Sequence, residues 1–256
     1  MAQDTLPPIS TPAPLPLTVV IPMLNEAGNV TPVLEELAGV AASFPPHEII
    51  VVDDGSRDAT LAELQIMAGR IAGLRVICHA KPAGKSAALH SAVASARGAV
   101  ICTMDGDGQN PPEALSALFA PLMGDADPAL ALVAGQRVGR RDTLSKRYAS
   151  RVANALRRRI LRDDTRDTAC GLKAFRRAPY LDLPYFHNMH RYLPALFRAS
   201  GHGVAHVDVA DRPRNSGRSK YSNLQRALVG VSDLLAVAWL IRNRNRAEPT
   251  EIELPR

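Results

Sequence analysis

Short, uninterrupted apolar runs alternate along this chain with longer segments in which apolar residues return every three or four positions. The runs fall at residues 17–23, 48–53, 75–78, 99–104 and 130–134 and read as strands. Between them, 29–44 places Val30, Val33, Leu34, Leu37 and Val40 on one helical face. Residues 59–71 and the alanine-rich 83–97 read as further helices, and Pro112 opens a fourth where a missing N–H costs nothing. Strands that are apolar on both faces and separated by helices predict an α/β fold, a mostly parallel sheet covered by helices on each side. Such sheets bind ligands beyond the carboxyl ends of their strands. The residues directly after each strand are therefore the first place to look for chemistry.

The pattern changes at Arg137. Residues 137–162 carry ten basic residues against one acid, Asp142, while Leu144, Tyr148, Val152, Leu156 and Ile160 recur at helical spacing. That predicts a basic amphipathic helix. A strand at 171–175, a helix around 190–199, a strand at 204–209 and a final apolar helix at 224–241 follow. The chain so divides into a proline-rich tail without expected order (1–16), a core (17–136), a basic part of the same domain (137–243) and a polar tail (244–256).

With 256 residues, 46% of them hydrophobic and 22% charged, the chain is long enough to bury a substantial core. The net charge is +6, but its address matters more than its sum: most acids lie in the amino-terminal half, and the arginines gather from 137 onward. The longest nearly apolar run, residues 227–241, contains Gly230, Ser232 and Asp233. It falls short of the roughly 20 residues a bilayer span needs, so no transmembrane helix is expected. Residues 1–16 lack the basic start and apolar stretch of a secretory signal. Cys78, Cys102 and Cys170 lie far apart without a Cys-x-x-Cys pair and read as buried thiols of a reducing cytoplasm. Nucleic acid is set aside as a partner, because the basic residues follow a helix and a loop without stacking aromatics.

Four strand ends carry polar motifs. Asp105 and Asp107, in Met104-Asp-Gly-Asp-Gly-Gln109, follow the fourth strand. Two carboxylates one residue apart can reach the same hard cation, with Gln109 adding a third oxygen; the same residues also suit a plain surface turn. An EF-hand loop does not fit, since Asn110 and Ser116 stand where Gly and Glu are required. After the second strand, the Asp53-Asp54-Gly55-Ser56 carboxylates can accept hydrogen bonds from a base or ribose, or Asp54 or Ser56 simply caps the next helix. Pro22, Leu24, Asn25 and Glu26 follow the first strand and offer similar hydrogen bonding. Lys81-Pro-Ala-Gly-Lys-Ser86 follows the third and is no P-loop, because His79 stands where Gly is needed; Lys85 remains a partner for a phosphate or carboxylate.

Together, Pro22-x-x-Asn25-Glu26, Val52-Asp-Asp-Gly-Ser56, Gly84-Lys85-x-x-Ala88, Asp105-x-Asp107-x-Gln109 and Arg214 with Gly217-x-Ser219-Lys220-Tyr221 resemble the family 2 glycosyltransferases. Within them the likeness is to the polyprenyl-phosphate group of the dolichyl-phosphate mannose synthase type, and it spans residues 17–242. It implies the GT-A (Rossmann-like) fold, with 17–136 as the nucleotide-sugar core, 137–243 as the acceptor side, and C-terminal amphipathic helices on a membrane surface. It implies that Pro22, Leu24, Glu26, Asp54, Lys85, Asp105 and Gly106 bind the nucleotide-sugar, with Asp54 reading the base. Asp105, Asp107 and Gln109 would hold Mg²⁺ or Mn²⁺; Asp107, Arg137, Arg214 and Lys220 would serve catalysis; Arg151, Arg214 and Lys220 would take the acceptor phosphate. Two departures stand out. Leu24 replaces a usual Tyr, and the membrane helices that often follow this catalytic unit are missing from the sequence.

The implied activity is inverting transfer of one sugar to a polyprenyl phosphate, undecaprenyl rather than dolichyl, by a peripheral protein at the cytoplasmic face of the cell membrane. Expected partners are an anionic membrane surface and an integral membrane partner or a second copy. A phosphate acceptor is already ionised at about pH 7, which agrees with the absence of a convincing general base. Trp239, the single tryptophan, is outside the Gln-x-x-Arg-Trp motif of processive synthases, so one transfer per acceptor is expected. A sugar-phosphate nucleotidyltransferase would need an N-terminal Gly-rich loop that this chain lacks, and an inactive membrane module is at odds with Asp105, Asp107 and Arg214. His187 and His190 read as packing or hydrogen-bonding residues. Asp167 fits an acceptor-side role or an arginine pair equally, and the arginines at 157–159 fit a solvated face or a headgroup surface.

Overall fold

The computed structural model of the chain describes residues 14–124, 127–138, 157, 159–161, 163–210, 212 and 223–244, with the backbone alone for 223–229. Seven strands form one sheet: β1 (Leu15–Met23), β2 (His47–Asp53), β3 (Leu74–Cys78), β4 (Gly98–Thr103), β5 (Leu130–Val138), β6 (Lys173–Arg176) and β7 (Gly203–Ala210). Their order is β3-β2-β1-β4-β6-β5-β7. β1 pairs in parallel with β2 and β4, β2 with β3, and β5 with β7, whereas β6 runs antiparallel to both β4 and β5. The helices are α1 (Val30–Ala41), α2 (Thr60–Ala68), α3 (Lys85–Ser95), α4 (Ala114–Phe119), α5 (Arg177–Leu181), α6 (Leu193–Ala199) and α7 (Asn223–Arg242). Single 3-10 turns occupy Ala120–Leu122 and Met189–Arg191.

Alternation along the strands divides their side chains between two cores. Val19, Ile21 and Met23 of β1 and Ile49 and Val51 of β2 meet Val33, Leu34 and Leu37 of α1, Leu64 of α2 and Leu115 and Leu118 of α4. Val20, Ile50, Val52 and Ile101 face the other way, against Leu89 and Val93 of α3, Leu196 and Phe197 of α6 and Leu234 and Val237 of α7. Each fully buried aliphatic side chain contributes about 1.5–3 kcal/mol. The central strands are therefore apolar without interruption, and the expected α/β architecture with its mostly parallel sheet is present.

At the amino-terminal edge of the strands Glu48 is wholly buried. Its Oε1 accepts from Thr18 Oγ1 (3.0 Å) and Arg97 N (2.6 Å), and its Oε2 from Arg75 Nη1 (2.8 Å) and Arg97 Nε (2.9 Å). Burial pushes this carboxyl up, but the Arg97, Arg75 and Thr18 donors outweigh it and hold it below the usual glutamate range.

Several expectations are corrected. β1 begins at Leu15, inside the segment expected to be a tail, because Leu15 N donates to Arg97 O (3.2 Å) and Leu15 pairs with Gly98. β5 runs on through Arg137 and Val138, which pair with Val209 and Ala210 of β7, so no helix starts at 137. Residues 139–156 of the predicted basic helix lie outside the described residues. Arg157 belongs neither to a solvated face nor to a headgroup surface: it is 7% exposed, donates to Asp163 (2.9 Å) and stands 5.9 Å from the Tyr192 ring centre. Cys102 and Cys170 are buried as expected, but Cys78, the last residue of edge strand β3, is exposed. No described helix is long and apolar enough to cross a membrane.

Candidate active site

The sheet grows in opposite directions from β1, with β2 and β3 on one side and β4 on the other. A crevice opens beyond the strand ends at such a switch point. A cavity of about 320 Å³ lies there. It is lined by Pro22, Met23, Leu24 and Glu26 from β1 and its loop, Asp54 after β2, Gly84, Lys85 and Ala88 at the start of α3, and Asp105, Gly106 and Asp107 after β4. The structure thus brings Pro22, Leu24, Glu26, Asp54, Lys85, Asp105, Gly106 and Asp107, all expected from the sequence, into one place.

Hydrogen bonds between consecutive loops hold this rim. Asp54 N donates to Met23 O (2.9 Å), Glu26 N to Thr60 Oγ1 (2.9 Å) and Arg57 N to Asn25 Oδ1 (2.8 Å), so the loops after β1 and β2 are fastened together. Asp54 is 3% exposed, and its carboxylate is already engaged. Oδ1 accepts from Ala83 N (2.9 Å) and lies 2.7 Å from His79 Nδ1, while Oδ2 accepts from Gly84 N (2.7 Å). Asp54 therefore anchors the loop from β3 to α3, and only its remaining lone pairs are left for a base. Gly84 caps α3 with φ +94°, a conformation that other residues adopt only under strain. This turn delivers Lys85 to the first position of α3, where the helix dipole also favours negative charge.

Lys85 Nζ is paired with Asp105 Oδ1. Burial would raise the Asp105 carboxyl, but Lys85, helped by Lys173 and Arg137, outweighs it and holds it below the ordinary aspartate range. Asn110 keeps the loop after β4 closed by accepting from Asp105 N (2.8 Å), and Gln109 N donates to Asp107 Oδ1 (3.2 Å). Asp107 is 6% exposed. Gln109, expected as a third metal oxygen, does not line the cavity; its side-chain amide donates to Arg212 O (3.2 Å). Arg137 is likewise away from the lining, in a two-pronged pair with Asp167: Nε to Oδ2 at 2.6 Å and Nη2 to Oδ1 at 3.1 Å. Of the two readings of Asp167, the arginine pair is the one seen. Arg151, Arg214 and Lys220 lie outside the described residues.

Two residues that hold the site, Asn110 and Lys173, have no expected role in the sequence. Asn110 is buried and lies one residue beyond Asp105-x-Asp107-x-Gln109. Lys173 lies beneath Asp105 and is 5% exposed. His190 is hydrogen-bonded to Ser86 next to Lys85 (Nδ1 to Oγ, 2.8 Å), a hydrogen-bonding role as expected. Burial, followed by Lys85 and Lys173, pushes its pKa well down and keeps it neutral. Among the described residues, no group of three or more His, Cys, Asp or Glu side chains is placed to hold a metal ion unaided. Two carboxylates on one cavity do suit an ion of the Mg²⁺ type, which keeps one or two carboxylates and takes further oxygens from a substrate phosphate.

The family model described as "Glycosyl transferase family 2" matches residues 18–183. The chain belongs to glycosyl transferase family 2. This family 2 chain is 34% identical over 237 residues to the dodecaprenyl-phosphate galacturonate synthase of Rhizobium johnstonii, an alignment covering 91% of this chain and 69% of that protein. It is 30% identical over 207 residues to the undecaprenyl-phosphate 4-deoxy-4-formamido-L-arabinose transferase of Shewanella sediminis, covering 80% of this chain and 61% of the relative. The chain thus spans between three fifths and seven tenths of the length of these relatives. Among solved structures, it matches glucosyl-3-phosphoglycerate synthase from Mycobacterium tuberculosis in complex with Mn²⁺, UDP-glucose and glycerol 3-phosphate at a TM-score of 0.64. That match is 21% identical and covers 89% of this chain and 80% of the other. Mannosyl-3-phosphoglycerate synthase from Rubrobacter xylanophilus gives 0.67 at 19% identity, over 94% and 79%. These likenesses show the fold that the family 2 chain shares with them, the GT-A type.

Proposed function

We propose that this chain moves one sugar from a nucleotide-sugar to a polyprenyl phosphate, with inversion, in a reaction that requires Mg²⁺ or Mn²⁺. The observation that carries this reading is a cavity where two carboxylates, a lysine and a helix amino terminus meet at the switch point of the sheet. Family membership supports glycosyl over nucleotidyl transfer. The relatives named as dodecaprenyl- and undecaprenyl-phosphate sugar enzymes support the acceptor, and the Mn²⁺–UDP-glucose complex of a structural neighbour supports the metal.

Pro22, Leu24, Glu26 and Asp54 would flank the nucleoside, and Lys85 with the start of α3 would face its diphosphate. Asp105 and Asp107 would hold the divalent ion, which as a Lewis acid offsets charge on the departing diphosphate. An oxygen of the acceptor phosphate bonds to the anomeric carbon as that carbon's bond to the diphosphate breaks, and the nucleoside diphosphate leaves with the bonding pair. The acceptor oxygen is already ionised, so no side chain has to remove a proton. Arg137, Arg151, Arg214 and Lys220 are the cations assigned to the two phosphates.

The acceptor would be met at the cytoplasmic membrane face. α7 supports this with an outward row of Val231, Leu235 and Trp239, which are 56%, 61% and 65% exposed, and with Arg242 one turn beyond. Aromatic and basic residues on one helical face suit an anionic bilayer surface. Purified protein with either metal, radiolabelled nucleotide-sugars and undecaprenyl phosphate should pass label into an organic extract with the anomer inverted. Asp107→Ala should lower that rate at least about 100-fold. Absence of transfer from every donor, a retained anomer, or full activity in Asp107→Ala would each overturn the corresponding claim.

A further inference from the structure

Asp105 rests on a glycine. A Cβ placed on Gly171 would lie 2.4 Å from the Asp105 carboxylate carbon and from both of its oxygens, so the carboxylate is packed directly against the Gly171 backbone. The three carbonyls around that seat are all held. Cys170 O accepts from Lys173 Nζ, Gly171 O from Thr103 Oγ1 (2.7 Å), and Leu172 O from Gly135 N (2.9 Å). Lys173 opens β6, opposite Thr103 at the end of β4, so its ammonium lies under the loop that carries Asp105. It is 5% exposed, and the Cys170 carbonyl is its hydrogen-bond partner among the described residues. A buried ammonium costs free energy unless anions surround it. Burial, with the like charge of Lys85, brings the Lys173 pKa down to about 8, and Cys170, Asp105 and Asp167 act in the opposite direction.

We propose that Lys173 is a positioning residue for the ion and diphosphate: it fixes the Cys170–Gly171 peptide on which Asp105 lies and balances the acids beneath the cavity. This rests on the donor site proposed above and adds to it a residue outside the cavity lining. Supporting groups behind a metal ligand commonly alter metal affinity or activity about 10- to 100-fold when removed.

The test is Mn²⁺ binding read by electron paramagnetic resonance, together with UDP and GDP binding by calorimetry, each with and without Mn²⁺. Lys173→Met should weaken the Mn²⁺-dependent part of nucleotide binding about 10-fold or more while leaving metal-free binding near that of the unaltered protein. Lys173→Arg should recover part of the loss. Gly171→Ala, which displaces Asp105 and keeps Lys173, should show the same split, and it serves if Lys173→Met does not fold. Equal loss with and without Mn²⁺, or unchanged Mn²⁺ and nucleotide affinity in folded Lys173→Met, would overturn this inference alone. A lack of Mn²⁺-dependent binding of either nucleotide by the unaltered protein would overturn the donor reading and this inference with it.

Discussion

A carboxylate that takes hydrogen bonds from two backbone amides and a histidine cannot become an amide without setting one N–H against another. Asp54 is in that position, with Ala83 N, Gly84 N and His79 around it. Asp54→Asn should therefore cost about 1–3 kcal/mol and speed amide exchange in residues 79–84; an unchanged melting temperature and exchange pattern would contradict the anchoring role. Residues such as Asp54, Lys85, Asp105 and Asp107 were legible because each follows a parallel strand, where the geometry of the sheet sends functional groups. Lys173, Asp167 and Gly171 were not singled out as a group, because they lie before or at the start of a strand that runs the other way. A buried lysine also carries no mark in sequence, since lysine is ordinarily a surface residue. Spacing gives reach along the chain but not the side to which a side chain turns, and the Gln109 amide nitrogen turns to the Arg212 carbonyl.

Among the elements, the first four strands and first three helices followed directly from apolar period, because both faces of the strands and one face of each helix are buried. α5 and the two 3-10 turns are too short to leave a period, and the start of the basic segment was misjudged because pairing with β7 extends β5 past Arg137. Glu48 joins β1, β2, β3 and the entry to β4 at the end of the sheet remote from the cavity. Its carboxyl titrates below the unfolded value, so its stabilisation is complete above that value and is lost as pH falls through the lower folded one. Denaturant unfolding as a function of pH should show declining stability below about pH 4.5, and Glu48→Gln should flatten that decline. A slope unaltered by the substitution would assign the acid sensitivity elsewhere.

At the scale of the molecule, α7 connects outer surface to core. Its inner face packs Leu234, Val237 and Ala238 into the core, Asp233 accepts from Asn188 Nδ2 (3.0 Å), and Gly230 O accepts from Tyr192 (3.4 Å), while Val231, Leu235 and Trp239 face outward. Replacing Leu235 and Trp239 together by Ser should weaken sedimentation with phosphatidylglycerol-containing vesicles at least about tenfold, with stability within about 0.5 kcal/mol. Undiminished sedimentation would remove this row from the membrane contact. The antiparallel β6 has a consequence of another kind. Its first residue, Lys173, pairs with Thr103 at the cavity edge, whereas its last, Arg176, pairs with Val100, and the next residue, Arg177, donates to Val93 O (2.8 Å). A single four-residue strand thus separates two zones of unequal tolerance to insertion. Chain length added just before β6 is transmitted to the carboxylates, and length added just after it emerges on the opposite rim, away from the cavity.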